Sequence, residues 1–147
     1  MIGMESSGRA RLGLVLFRQG AHEAAFSQFS AGLSISRELG FPAGHSWSLA
    51  GLAHLAATHK NYAGAARLSA AATAHREVVG MRLPQREQAD EDLLLTQIRT
   101  TIGAGAFDEV WSNRRRWLED DPISTIGNSL DTLCHAVEPP EHPTERS

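Results

Sequence analysis

Seven histidines, a single cysteine and a run of arginines between two tryptophans are the residues of this chain with chemistry to offer. His54 and His59 stand five apart, which misses the three- or four-residue step that puts two ligands on one helix face. There is no H-E-x-x-H and no cysteine pair, so the spacing describes scattered surface or interhelical histidines and no metal site. Cys134 has only His135 beside it. Neighbours along a helix point apart, and a nucleophile needs a base that a third group orients. Cys134 is therefore expected to be a half-buried structural residue, and one cysteine excludes an intramolecular disulfide. Gly103-Ala104-Gly105 lacks the preceding strand of a phosphate cradle and fits a turn between helices. No catalytic, cofactor or metal residues are expected.

Trp111-Ser112-Asn113-Arg114-Arg115-Arg116-Trp117 is the densest local feature. Successive arginines fan around a helix, so one or two at most share a face. Guanidinium groups stack on tryptophan, and tryptophan stacks on bases. A net charge of -3 lends no long-range attraction to phosphates. The favoured reading is a solvated basic face pairing with Glu109, Glu119 and Asp120; Arg114 and Arg115 are candidates for docking an acidic partner segment.

The elements that must position these residues come from a tandem copy. Leu12 to Gly40 (LGLVLFRQGAHEAAFSQFSAGLSISRELG) reappears forty residues later as Leu52 to Gly80 (LAHLAATHKNYAGAARLSAAATAHREVVG). Leu12 falls on Leu52, Ala31 on Ala71 and Gly40 on Gly80. Arg37-Glu38 recurs as Arg76-Glu77, a slip of one residue. A period of this length, with each copy too small to bury its own apolar side, marks a stacked-repeat protein.

Residues 1–7 read as a frayed entry, with Ser6 or Ser7 as a cap. A first helix is predicted over Gly8–Gln19, with Leu12, Val15 and Leu16 on its apolar face and Gly13 open to close helix approach. A second runs over Glu23–Leu39, closed by Gly40 and stopped by Phe41-Pro42. The second hairpin spans Ala43–His59 and Ala63–Val79; its many alanines allow close helix spacing, with Trp47 and Tyr62 filling gaps between layers. Pro84 suits the first turn of a helix carrying Leu93, Leu94, Ile98 and Ile102. Ala106–Leu118 completes a third, divergent hairpin that caps the stack. The repeats thus cover about 8–40, 43–80 and 84–118. A short helix is expected over 123–137 and a disordered tail over 138–147. The fold class is all-α: a right-handed stack of about three antiparallel hairpins plus a short C-terminal helix.

With 41% hydrophobic and 21% charged residues the composition is globular. No apolar run approaches the roughly 20 residues of a membrane span, and the first residues lack the order of a signal peptide. A cytoplasmic location is the expectation, with no membrane partner.

Gly20-Ala21-His22-Glu23-Ala24-Ala25 and Lys60-Asn61-Tyr62-Ala63-Gly64-Ala65 resemble the turn and second-helix start of a tetratricopeptide (TPR) repeat. Arg37-Glu38-Leu39-Gly40 resembles the end of its forty-residue variety. Leu83-Pro84 through Phe107 and Trp111 is similar to the C-terminal repeats of large bacterial regulators, the LuxR-type and maltose-regulator-like signal-transducing ATPases. The chain lacks their G-x-x-x-x-G-K-[ST] loop and shows no credible DNA-reading helix-turn-helix, so ATP hydrolysis and direct transcriptional control do not carry over. The resemblance implies a TPR-like scaffold or adaptor in bacterial regulation or signalling, a shortened relative of a larger regulator, that is no enzyme and binds a protein or peptide. The alternative is a helical repeat domain that senses a small molecule between Trp47, Tyr62 and the third hairpin. Repeat geometry places the partner groove on the first helix of each hairpin, at Arg11, Arg18, His45, Ser48, His54 and Thr58. The bare Leu12/Leu16 helix suggests self-association, and the net charge makes nucleic acid an unfavoured partner.

Overall fold

The computed structural model describes residues 2–40 and 42–118, and among them every regular element is helical. The elements are α1 (Ile2–Arg18), α2 (His22–Leu39), α3 (Pro42–Thr58), α4 (Tyr62–Val79), α5 (Gln85–Ile102) and α6 (Ala104–Ser112), followed by one stretch of 3-10 helix, Arg114–Leu118. The expectations for 123–137, 138–147 and Cys134 lie outside the described residues.

The two copies fold with the same local chemistry. Ala21 N–H donates to the Leu16 carbonyl at 2.9 Å, and forty residues on Asn61 N–H donates to Ala56 at 2.8 Å. The residue before each donor is left-handed: Gly20 at φ 84° and Lys60 at φ 68°. Gly40 and Gly80 close α2 and α4 in the left-handed conformation that glycine adopts without a Cβ clash. One cap differs. The Asn61 side chain accepts from Gly64 N–H at 3.0 Å, whereas Ala21 makes no side-chain cap. A Cβ on Gly64 would fall 2.6 Å from the Asn61 amide, so the asparagine and the glycine come as a pair where the first copy has Ala21 and Ala24.

Packing joins α1 to α2, α2 to α3 and α3 to α4, while α1 also lies on α3 and α3 touches α5. The fully buried core is Phe29, Leu49, Leu52, Leu55, Leu68 and Ile98. Phe29 is the key: its ring passes from α2 between α1 and α3, against backbone kept bare by Gly13 and Gly51. Gly13 serves the close approach its position predicts.

Several expectations give way. α1 begins at Ile2, so 2–7 is helical where a frayed entry was expected, and positions 6 and 7 lie within the helix instead of ahead of it; without a proline there, extending a formed helix adds a hydrogen bond for each residue ordered. Leu12 and Val15 are each 47% exposed, and the inward positions of α1 are Ala10 and Gly13, because α1 has neighbours on one side only. Pro84 caps α5 from outside, and Gly103 alone makes the next turn. The helix predicted to reach Leu118 ends at Ser112, where Asn113 turns its amide back to the Glu109 carbonyl at 2.9 Å and competes with the helix ladder. Leu93 is 72% exposed, while Leu94 and Ile98 carry the buried stripe.

Candidate functional site: a cleft across the first helices

α3 is buried nearly all round, with Leu49, Leu52, Ala53, Leu55 and Ala56 fully enclosed. One stripe of it stays open, Trp47, Ala50 and His54, with the bare backbone of Gly51 between them. That stripe is the floor of a cleft of about 720 Å³. α1 forms one wall with Arg11, Leu14, Val15 and Arg18, and α5 forms the other with Glu87, Asp90, Leu93 and Gln97. Phe29 closes the bottom from α2.

The lining repeats in register. Arg11, Leu14, Val15 and Arg18 stand at i, i+3, i+4 and i+7, the spacing of one helix face, and so do Trp47, Ala50, Gly51 and His54. Adding forty to the α3 set gives Glu87, Asp90, Glu91 and Leu94, all of which line the cleft on α5. The period therefore persists into the third hairpin at the lining positions, where residue identities had hidden it.

The walls carry opposite charge. Arg11 and Arg18 stand on α1, and Glu87 and Asp90 stand on α5. Arg18 Nη2 reaches Asp90 Oδ2 at 3.8 Å with both side chains half exposed, a loose ion pair across the mouth. Beneath the acidic wall, Arg76 and Glu91 form a buried pair, each side chain only 8% exposed. Arg76 occupies in α4 the slot that buried Ser36 occupies in α2, forty residues earlier. The one-residue slip of Arg37-Glu38 to Arg76-Glu77 thus moves an arginine from the exposed position of Arg37 to the interior, where Glu91 meets it. Burial pushes the Glu91 carboxyl above its ordinary range, against the pull of the adjacent guanidinium.

The histidines prove interhelical. His22 Nδ1 and His59 Nε2 lie 3.1 Å apart, and His22 also stacks on Phe17 at 5.5 Å. Its counterpart Tyr62 accepts from Gln97 Nε2 through its hydroxyl at 3.2 Å. Both residues reach from the start of a hairpin's second helix to the next hairpin. His45 lies 3.4 Å from Ser36 Oγ and packs against the tilted ring of His75 with centroids 4.4 Å apart. Burial, with His75 and Arg37 nearby, pushes His45 down to about 4. Burial also lowers His54, opposed by Asp90 and aided by Arg18, and lowers His59 with help from His22. Burial thus favours the neutral form of His45, His54 and His59; His22 meets His59, His45 meets His75, and His54 lies against Phe17. Among the described residues no group of three or more metal-ligating side chains comes together.

Of the residues the sequence points to, Arg11, Arg18 and His54 meet in the cleft. His45 lies outside it, against Ser36 and His75. Ser48 is fully buried, and Thr58 returns its hydroxyl to the His54 carbonyl at 2.9 Å. α3 is apolar on every side, so periodicity marks no outward face along it. Arg114 is committed elsewhere: it grips Glu77 through Nε at 3.0 Å and Nη2 at 2.9 Å, and lies 5.9 Å from the Trp111 ring centroid. That grip holds the Glu77 carboxyl below its usual range and clamps the last turn to α4. Its acid is Glu77, which is not among the expected Glu109, Glu119 and Asp120; the last two lie outside the described residues. Arg115 is exposed and does not join the cleft. Leu14, Val15, Glu87, Asp90 and Leu93 are the cleft residues that sequence reasoning missed. The i, i+3, i+4, i+7 run Arg11/Leu14/Val15/Arg18, mixed in character, was the signal available. Trp47, read as filler, faces the cleft.

No family model, curated protein or solved structure matches this chain. The geometry of the cleft therefore carries the functional reading. No helix among the described residues is long and apolar enough to cross a membrane.

Proposed function

We propose that this protein is a non-catalytic binding module, a TPR-like scaffold or adaptor that holds a protein or peptide in the cleft across α1, α3 and α5. The observation that carries this reading is the cleft's construction: three helix faces, those of α3 and α5 in forty-residue register, apolar along the floor and charged along both lips. Exposed apolar residues grouped in a concavity and rimmed by charge mark an interaction surface. Among the described residues His22 meets His59 and His45 meets Ser36 and His75, interhelical contacts that give these histidines a structural role. The bacterial regulatory setting rests on the resemblance of Leu83-Pro84 through Phe107 and Trp111 to the repeats of those regulators, and the cytoplasmic location is the expectation drawn from the bulk features of the sequence.

Leu93→Asp tests the site. At 72% exposure the substitution leaves the core untouched. A partner captured from native cells by the wild-type chain and by Arg115→Ala, but lost with Leu93→Asp, supports the reading; retention with Leu93→Asp removes it.

A second reading, sensing of a small molecule, is favoured by the volume, because about 720 Å³ lies within the range of ligand pockets. A thermal-shift screen with metabolites separates the two: stabilisation lost in Trp47→Ala would favour sensing. Self-association through α1 is also a proposal, supported by the half-exposed Leu12. Sedimentation of the wild type against Leu12→Asp decides it.

A further inference from the structure

The cleft offers an occupant apolar contact and charge but few neutral hydrogen-bonding groups. Ser46 Oγ is buried without a partner, which leaves Gln97, His54 and the indole of Trp47 as the neutral polar groups of the lining. An extended peptide laid on such a floor would leave its N–H and C=O groups unpaired, at a cost comparable to lost hydrogen bonds. A helix satisfies its own backbone and presents side chains alone.

The dimensions agree. The lining of α5 runs from Glu87 to Gln97, which at 1.5 Å per residue is about 15 Å. A helix 10–12 Å across, half sunk over that length, displaces roughly 700 Å³. The cleft holds about 720 Å³.

The charge pattern narrows the occupant further. One lip is cationic through Arg11 and Arg18, and the other is anionic through Glu87 and Asp90, with Val15 and Leu93 exposed just inside them. The 3.8 Å pair of Arg18 and Asp90 is long and solvated, so both groups can exchange each other for a closer partner. We propose that the occupant is an amphipathic helix of a partner protein, about three turns long. Its apolar stripe lies on Leu14, Val15, Trp47 and Leu93, carboxylates on one flank meet Arg11 and Arg18, and cations on the other flank meet Glu87 and Asp90. The proposal rests on the reading of the cleft as the binding site and adds the class of partner.

Reversing such a helix end to end exchanges its flanks, so the discriminating feature is opposite charge on the two flanks, whichever flank carries which sign. The test is a displayed library of 16-residue peptides with a fixed leucine-alanine stripe and flanks randomised between glutamate and lysine. A proline-rich extended set is included, and selection is run on the full chain and on Leu93→Asp. The expected result is enrichment of peptides with glutamate on one flank and lysine on the other, lost on Leu93→Asp. Such peptides should bind roughly tenfold more tightly than versions with a single sign on both flanks, as several exposed ion pairs together would give. The variant Arg11→Glu/Arg18→Glu should then shift enrichment to lysine on both flanks. Enrichment of single-sign or extended peptides that still depends on Leu93 overturns the split-charge helix and leaves the cleft standing. Enrichment indifferent to Leu93→Asp, or none at all, overturns both. A concentration-dependent dimer abolished by Leu93→Asp would replace the partner helix with a second copy of this chain.

Discussion

Gly51→Ala is the most searching single change, because one methyl group tests how α2 is keyed between α1 and α3. A Cβ at Gly51 falls 2.2 Å from Phe29 Cε1 and 2.3 Å from Cζ, far inside contact distance. The ring cannot retreat: on its other side a Cβ at Gly13 would stand only 2.7 Å away, so the ring already touches the α1 backbone. Overpacking of this kind costs about 1–3 kcal/mol. Alanine in place of glycine inside a helix returns about 1 kcal/mol. The net expectation is a loss of up to about 2 kcal/mol, or a fall in Tm of up to about 8 °C for a chain of this size. Gly8→Ala is the control, since nothing lies within 4 Å of a Cβ there, and it should raise stability by about 0.5–1 kcal/mol. Phe29→Leu combined with Gly51→Ala should recover part of the loss, and the double-mutant cycle should show coupling. Thermal and urea unfolding of the wild type, Gly51→Ala, Phe29→Leu, the double variant and Gly8→Ala decide the matter. A Gly51→Ala protein as stable as Gly8→Ala would refute the keyed packing and, with it, the floor of the cleft.

Other consequences follow from single contacts. Arg76→Met alone strands the buried Glu91 carboxylate and should cost about 3–5 kcal/mol, whereas Arg76→Met/Glu91→Leu should unfold in urea close to the wild type or above it. Asn61→Ala removes the cap on Gly64 and should lower stability by about 1 kcal/mol, while Ala21→Asn should gain less than that unless Ala24→Gly makes room. His45, held down to about 4, stays neutral in the fold while its unfolded counterpart takes up a proton below 6.5. Its contribution is therefore complete above pH 6.5 and is lost as pH falls toward 4. The full shift corresponds to roughly 3 kcal/mol, and its partial exposure reduces this to about 1–2 kcal/mol. Urea midpoints at several pH values should slope downward across that window and flatten in His45→Gln; a flat wild-type profile would contradict the assignment.

Much of the fold was legible in the residues. Gly40 and Gly80, the turns at Gly20 and Lys60, and the copy itself placed four helices to within a few residues, apart from the start of α1. These are local signals, read from the backbone freedom of glycine and the φ of the residue at each turn. The third hairpin was harder to align, because its lining residues changed from small to acidic while keeping their spacing. Half of the groove set lies off the cleft for a physical reason: α3 is enclosed on all but one narrow stripe, so Ser48 and Trp47 cannot be told apart by hydrophobic pattern, although one is buried and the other faces the cleft. The arginine run misled in the opposite way. Charge suggested a free face, yet Glu77, thirty-seven residues earlier in the chain, captures Arg114.

The sequence by itself determined helix, turn and period, since these depend on residues within a few positions of one another. Tertiary structure alone decided which side of each helix became a wall. Arg76 illustrates the division. A one-residue slip between the copies, visible in the sequence, turns that arginine inward, but only the approach of α5 shows that Glu91 waits there to pair with it. The opposite charges of the cleft have the same origin: Arg18 and Asp90 are seventy-two positions apart, and no local pattern tells either residue that the other stands across the gap.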